Sequence, residues 1–78
     1  MSLVSNNIKF LRKKLHVTQE QLAEKIGIKR SLLGAYEEGR ADPRLNNLLS
    51  IASVFNVTVD LLIGQDIGQL DPTEISSK

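Results

Sequence analysis

At 78 residues the chain has the length of one domain, and a domain near this size buries only about 60% of the surface its unfolded form exposes. It has no cysteine, which excludes a disulfide framework and a thiolate metal site, and its apolar residues recur periodically, which excludes a secretory or transmembrane run. Ten basic against nine acidic residues leave a formal charge of +1, too small by itself to announce a nucleic-acid partner.

The first predicted helix runs from Ser5 or earlier to about Leu15, with Val4, Ile8, Leu11 and Leu15 spaced for one face. Lys9, Arg12, Lys13 and Lys14 make this end basic without one acid, whereas the last fourteen residues hold Asp66, Asp71 and Glu74 against Lys78. Such asymmetry favours an anion beside the first helix, although a basic run of this kind is also an ordinary solvated face. The second helix opens on Thr18, an N-cap that Gln21 completes as a capping box, while Val17 and Leu22 form a hydrophobic staple. Leu22, Ala23 and Ile26 share its inner face, and Gly27 stops it in the left-handed conformation that glycine adopts most cheaply. A third helix over about residues 29–38 follows at once, with Leu33 and Tyr36 inward and Gly39 as its stop.

After the loop Arg40-Ala41-Asp42-Pro43, a fourth helix extends to about Phe55 and is expected to bury Leu45, Leu48, Leu49, Ala52 and Phe55. Val57-Thr58 repeats the staple and cap of Val17-Thr18, with Leu62 in the role of Leu22, and starts a short fifth helix stopped by Gly64. Five helices and no strands make an all-α fold: residues 1–64 form the domain, and 65–78 a flexible or partner-docked tail. Within the tail, Asp71-Pro72-Thr73-Glu74 reads as the opening of one more helix.

Two short helices joined by a glycine turn present a helix to the DNA major groove. On Thr18-Gln19, Leu22-Ala23, Ile26-Gly27-Ile28, Leu33, Tyr36-Glu37 and Gly39, continuing through Pro43, Leu45, Leu48, Ile51-Ala52 and Val57-Thr58 to Leu62, the chain resembles the Xre or Cro/C1 family of helix-turn-helix proteins, the lambda and 434 repressor type. The resemblance covers roughly residues 4–64 and implies a five-helix domain that binds double-stranded DNA.

Only outward residues near the start of the third helix reach base edges, which selects Arg30, Ser31, Leu32 and Ala35, with Lys29 at the helix start. Arg30 suits a bidentate contact to guanine, the alternative being a phosphate contact; Leu32 is either a thymine-methyl reader or part of a protein interface. Gly34 in mid-helix implies close approach, either of DNA or of the second helix. Gln19, at the N-terminus of the second helix, is placed for a phosphate. The resemblance adds that Gln19 braces a side chain of the recognition helix, here Arg30, that Lys29, Arg40 and Arg44 touch the DNA backbone, and that Arg12 and Glu37 form a structural pair. Lys29 departs from the family's capping serine or threonine, Glu38 puts an acid beside the backbone, and His16 stands where glycine is common. Phe10, Val54 and Leu61 are apolar where the family is polar, and with Ile67 and Leu70 they offer a dimer surface.

These residues point to a cytoplasmic transcriptional regulator binding DNA as a homodimer, with half-sites about one helical turn, roughly 34 Å, apart. Two other readings stand beside it: an antitoxin-type regulator that holds a protein partner through the fifth helix and tail, and an interaction module that has lost DNA. With one histidine, no metal-ligand spacing and no glycine-rich phosphate loop, an enzyme, a metal and a cofactor are not expected.

Overall fold

A computed structural model describes residues 2–70, in the order α1 (Leu3–Lys14), α2 (Gln19–Ile26), α3 (Arg30–Glu38), α4 (Leu45–Phe55), α5 (Val59–Gly64) and a single 3-10 turn (Ile67–Gln69). Among the described residues there is no strand. The expected capping chemistry sets the boundaries. Thr18 Oγ1 accepts the Gln21 N–H at 3.0 Å while Gln21 Oε1 accepts the Thr18 N–H at 2.9 Å, closing the capping box on α2. Thr58 caps α5 in the same way, its Oγ1 accepting the Leu61 N–H at 3.0 Å. Gly27 and Gly39 take positive φ, 88° and 77°, and end α2 and α3. His16 does the same work after α1 at φ 61°, a conformation that disfavours a side chain.

The core forms where the inner faces converge. Ile8 and Leu11 of α1, Leu22 of α2, Leu33 of α3 and Ile51 of α4 are closed over by Leu62 of α5. α1 lies against both α3 and α5, and α2 against α3 and α4, so the helix pair that reads as a DNA-binding motif rests on the other helices.

Four expectations need correction. Leu45 and Leu49 are 66% and 54% exposed, not buried, because the core line of α4 runs through Ile51 and Ala52 with Leu48 and Phe55 packed beside them, and leaves these two leucines on its flank. Gly64 lies within α5 and does not adopt the left-handed stop; the cap is Gln65 in extended conformation. Residues 65–70 belong to the domain rather than to a tail: Ile67 is fully buried and Leu70 packs on the core. Of the apolar residues expected to offer a dimer surface, Ile67 is fully buried and cannot contribute, while Phe10, Val54, Leu61 and Leu70 are partly buried against the core.

One side chain accounts for two of these differences. Asn7, buried in α1, donates from Nδ2 to the carbonyls of Leu62 at 2.7 Å and Gln65 at 2.6 Å, and its Oδ1 accepts the Ile67 N–H at 3.0 Å. Carbonyls at a helix C-terminus lack intrahelical partners. Here an amide from another helix satisfies them and folds the chain back so that Ile67 enters the core. The predicted helix opening at Asp71–Glu74 lies outside the described residues.

Candidate nucleic-acid interface

The motif begins at the N-terminus of α2, where helix geometry leaves backbone N–H groups without intrahelical partners and a positive end to the helix dipole. Thr18 takes the Gln21 N–H. Beside this end, Arg12, Thr18, Gln19, Glu20 and Arg30 line one shallow depression, and Arg30 also lines a neighbouring one with Glu20, Gln21, Glu24 and Ile28. Arg30 therefore stands between two concavities on the outer side of α2 and α3.

On α3 the residues divide by turn. Lys29 is the N-cap, in extended conformation and with no capping bond from its side chain, so the ammonium group stays outward. Arg30 and Ser31 are exposed in the first turn. Leu32 is only half-exposed and packs on the core. Ala35, expected on the outward face, is 8% exposed: five successive residues from Leu33 to Glu37 are buried in α3, because this helix is flanked by α1 and α2. The outward surface of α3 thus narrows to Lys29, Arg30 and Ser31 at its start and Glu38 at its end.

Beneath that surface lies an ionic network. Glu37, 2% exposed, receives Arg12 Nε at 2.7 Å and Arg12 Nη2 at 3.2 Å, a two-pronged pair in which the guanidinium is 14% exposed. Arg12 Nη1 also donates to the Val17 carbonyl at 2.9 Å, which ties the end of α1 to the entry of α2. Gln19 Nε2 donates to Glu37 Oε1 at 3.0 Å. Gln19 is therefore braced by Glu37 rather than bracing Arg30, and one amide hydrogen remains for an outside acceptor. The Gln19 carbonyl oxygen lies over Gly34, 3.8 Å from where a Cβ would stand. That is ordinary van der Waals spacing, so packing by α2 does not require glycine at position 34.

The flanking cations differ in their freedom to meet phosphate. Arg40 Nε donates to Glu38 Oε1 at 2.7 Å, and both side chains are more than 60% exposed, so Glu38 offsets the charge of Arg40. Arg44 caps α4 through its backbone alone and its side chain is exposed. Two contacts went unforeseen in the sequence: the Asn7 clip described above, and Asn47 Nδ2 donating to the Tyr36 hydroxyl at 2.9 Å, which fixes α4 against α3. Neither has a local pattern that would mark it, since an asparagine in a polar stretch looks the same whether buried or solvated. Among the described residues no group of His, Asp and Glu is disposed to hold a metal ion, and no helix is long and apolar enough to cross a membrane.

Comparison with known proteins agrees with this geometry. A helix-turn-helix family profile matches residues 8–62. An uncharacterized HTH-type transcriptional regulator of Bacillus subtilis, YobD, is 46% identical over 54 residues, which are 69% of this chain and 48% of the relative. The fold superposes with a TM-score of 0.79 on the P22 c2 repressor solved in complex with a synthetic operator, at 26% identity and covering 85% of this chain and all of that one. It superposes with a TM-score of 0.76 on a chain of the SinR–SinI protein complex, at 28% identity, covering 91% of this chain and 70% of the other. The chain spans about half the length of the curated relatives it matches.

Proposed function

The chain belongs to the helix-turn-helix family, and on that premise we propose that it is a transcriptional regulator, acting in the cytoplasm, that binds double-stranded DNA sequence-specifically with the start of α3 in the major groove. The observation that carries this reading is the exposure of Lys29, Arg30 and Ser31 at the start of α3, beside the N-terminus of α2, with Leu33 to Glu37 buried behind them. Arg30 is the base reader, bidentate to guanine O6 and N7, and Ser31 a weaker one. Lys29, Arg44 and the second amide hydrogen of Gln19 hold phosphates, with Arg40 a weaker contributor because of Glu38. Leu32 and Ala35 supply at most a methyl-sized surface. The family is one of DNA-binding regulators, not of enzymes.

Homodimerisation suits the size of the domain. One copy, 31 Å in its longest dimension, spans a single half-site, so reading two successive major grooves about one helical turn, roughly 34 Å, apart takes two copies. Selection of bound DNA from a random library tests specificity and spacing together: enriched half-sites containing guanine are expected, and enrichment of no sequence over bulk DNA refutes the reading. Arg30→Ala should then lose about 1–3 kcal/mol on the selected site and relax one base position.

A second reading, a protein partner docked on α5, is favoured by the likeness to SinR–SinI and by Ile63, 46% exposed on that helix. Ile63→Glu should abolish such a complex and leave DNA binding intact.

A further inference from the structure

α4 begins without the support that its neighbours have. Its N-cap is Arg44, whose guanidinium has no oxygen to offer the first turn, whereas α2 and α5 each open on a threonine whose hydroxyl accepts the N–H three residues on. The loop that leads into it is anchored only in its first half. Arg40 and Ala41 donate their N–H groups to the Ala35 carbonyl at 2.9 and 3.3 Å, which ties them to α3, but among the described residues Asp42 and Pro43 form no backbone hydrogen bond. Backbone packing does not join the two helices either, since α3 lies against α1 and α2, and α4 against α2 and α5.

Asn47, in the first turn of α4, supplies an anchor by another route. Its Nδ2 donates at 2.9 Å to the hydroxyl of Tyr36, a side chain of α3 that is 3% exposed. The ring of Tyr36 is held in the core, so its hydroxyl is a fixed point.

We infer that Asn47 is a positioning residue for DNA binding: through Tyr36 it holds Arg44, at the start of α4, at a set distance from Arg30 on α3, so that one phosphate contact and one base contact are made together. This rests on the roles given above to Arg30 and Arg44.

The argument is one of preorganisation. Both arginines are exposed and long, and they stand on different helices, so only their backbone positions decide where each can reach. DNA presents a base edge and a phosphate at a separation of its own. Two contacts that must be satisfied at once bind more tightly when their spacing is fixed beforehand, because the second then carries less ordering cost. Without the Asn47 bond, α3 keeps its place through Leu33 and the Tyr36 ring, and Arg30 stays with it. The segment from Asp42 to Arg44 is what becomes free, so the loss falls on the phosphate contact and not on the base.

Asn47→Ala and Tyr36→Phe each delete the bond, the second while keeping the ring in the core. In the free protein, backbone nitrogen relaxation should show the amides of Asp42 and Arg44 loosened and those of Arg30 to Leu33 unchanged. On the operator selected as above, each variant should bind about tenfold more weakly and lower the salt slope by about one, with the preference at every base position kept. Arg30→Ala, by contrast, relaxes one base position. On an Arg44→Gln background, Asn47→Ala should cost nothing further. A bond that only stabilises the fold would lower the melting temperature and leave the salt slope of the folded protein as it was. That result overturns the proposal, as does a loss that adds in full to that of Arg44→Gln. Wild-type protein that binds no DNA refutes the function and this inference together, whereas wild-type binding that Arg44→Gln weakens and Asn47→Ala does not refutes the inference alone.

Discussion

Replacing Glu37 by alanine interrogates the network on which the DNA surface rests. The carboxylate is 2% exposed and accepts three hydrogen bonds, from Arg12 Nε and Nη2 and from Gln19 Nε2. Alanine deletes all three and leaves a guanidinium that is only 14% exposed with the Val17 carbonyl at 2.9 Å. Stranding a buried charge costs about 3–5 kcal/mol, and because Arg12 retains an edge in water the expected loss is about 3 kcal/mol. A domain of this length is stable by about 4–12 kcal/mol, so the variant loses a quarter or more of the total. At about 4–8 °C per kcal/mol, its melting temperature should fall by about 12–24 °C. Urea and thermal unfolding followed by far-ultraviolet circular dichroism measure this. The companion variant Arg12→Met with Glu37→Leu, which removes both charges and fills their volume, should recover most of the loss. A decrease below about 1 kcal/mol, the worth of an exposed ion pair, refutes the reasoning, as does a double variant no more stable than the single one.

Three further outcomes are expected. Asn7→Ala strands the carbonyls of Leu62 and Gln65 and the Ile67 N–H; at about 1–3 kcal/mol for each buried group left unpaired, stability should drop by about 3 kcal/mol or more, with hydrogen exchange at Ile67 becoming fast. Gly34→Ala meets Gln19 at an ordinary 3.8 Å, so the melt should rise by the equivalent of about 0.5–1 kcal/mol with affinity for the selected operator unchanged; a fall in the melt would show that Gln19 cannot give way to a methyl group. His16→Gly relieves a left-handed histidine at φ 61° and should add about 0.5–1 kcal/mol after glycine's larger unfolded freedom is subtracted, an unchanged urea midpoint arguing the opposite.

The positions that defined the motif were legible because their chemistry is local. A threonine followed by glutamine three residues later, and a glycine after an apolar run, specify a cap and a stop whatever surrounds them, and the structure has both at Thr18–Gln21 and Gly27. Glu37 with Arg12 was reached only through the resemblance, since nothing in their spacing of 25 residues announces a pair. Periodicity failed where it had to. It identifies a helical face but not how wide a strip the neighbouring elements cover, so Leu45 and Leu49 were assigned inward and Ala35 outward when the packing does the reverse. Asn7 and Ile67 sixty residues apart escaped for a related reason: the clip is a long-range bond between an amide and a turn, and the glycine at 64 offered a more familiar ending for α5.

The Asn7 clip also determines how the domain bears load. The 3-10 turn that holds Ile67 lies against α1, with Gly68 beside Phe10. A pull or twist transmitted along the chain at that point is resisted first by three hydrogen bonds on one asparagine and by a buried isoleucine. Arg12, five residues farther along α1, anchors Glu37 of α3. The turn that carries Ile67 and the ionic support of α3 are thus mounted on one helix, so a strain applied at either is passed to the other through α1.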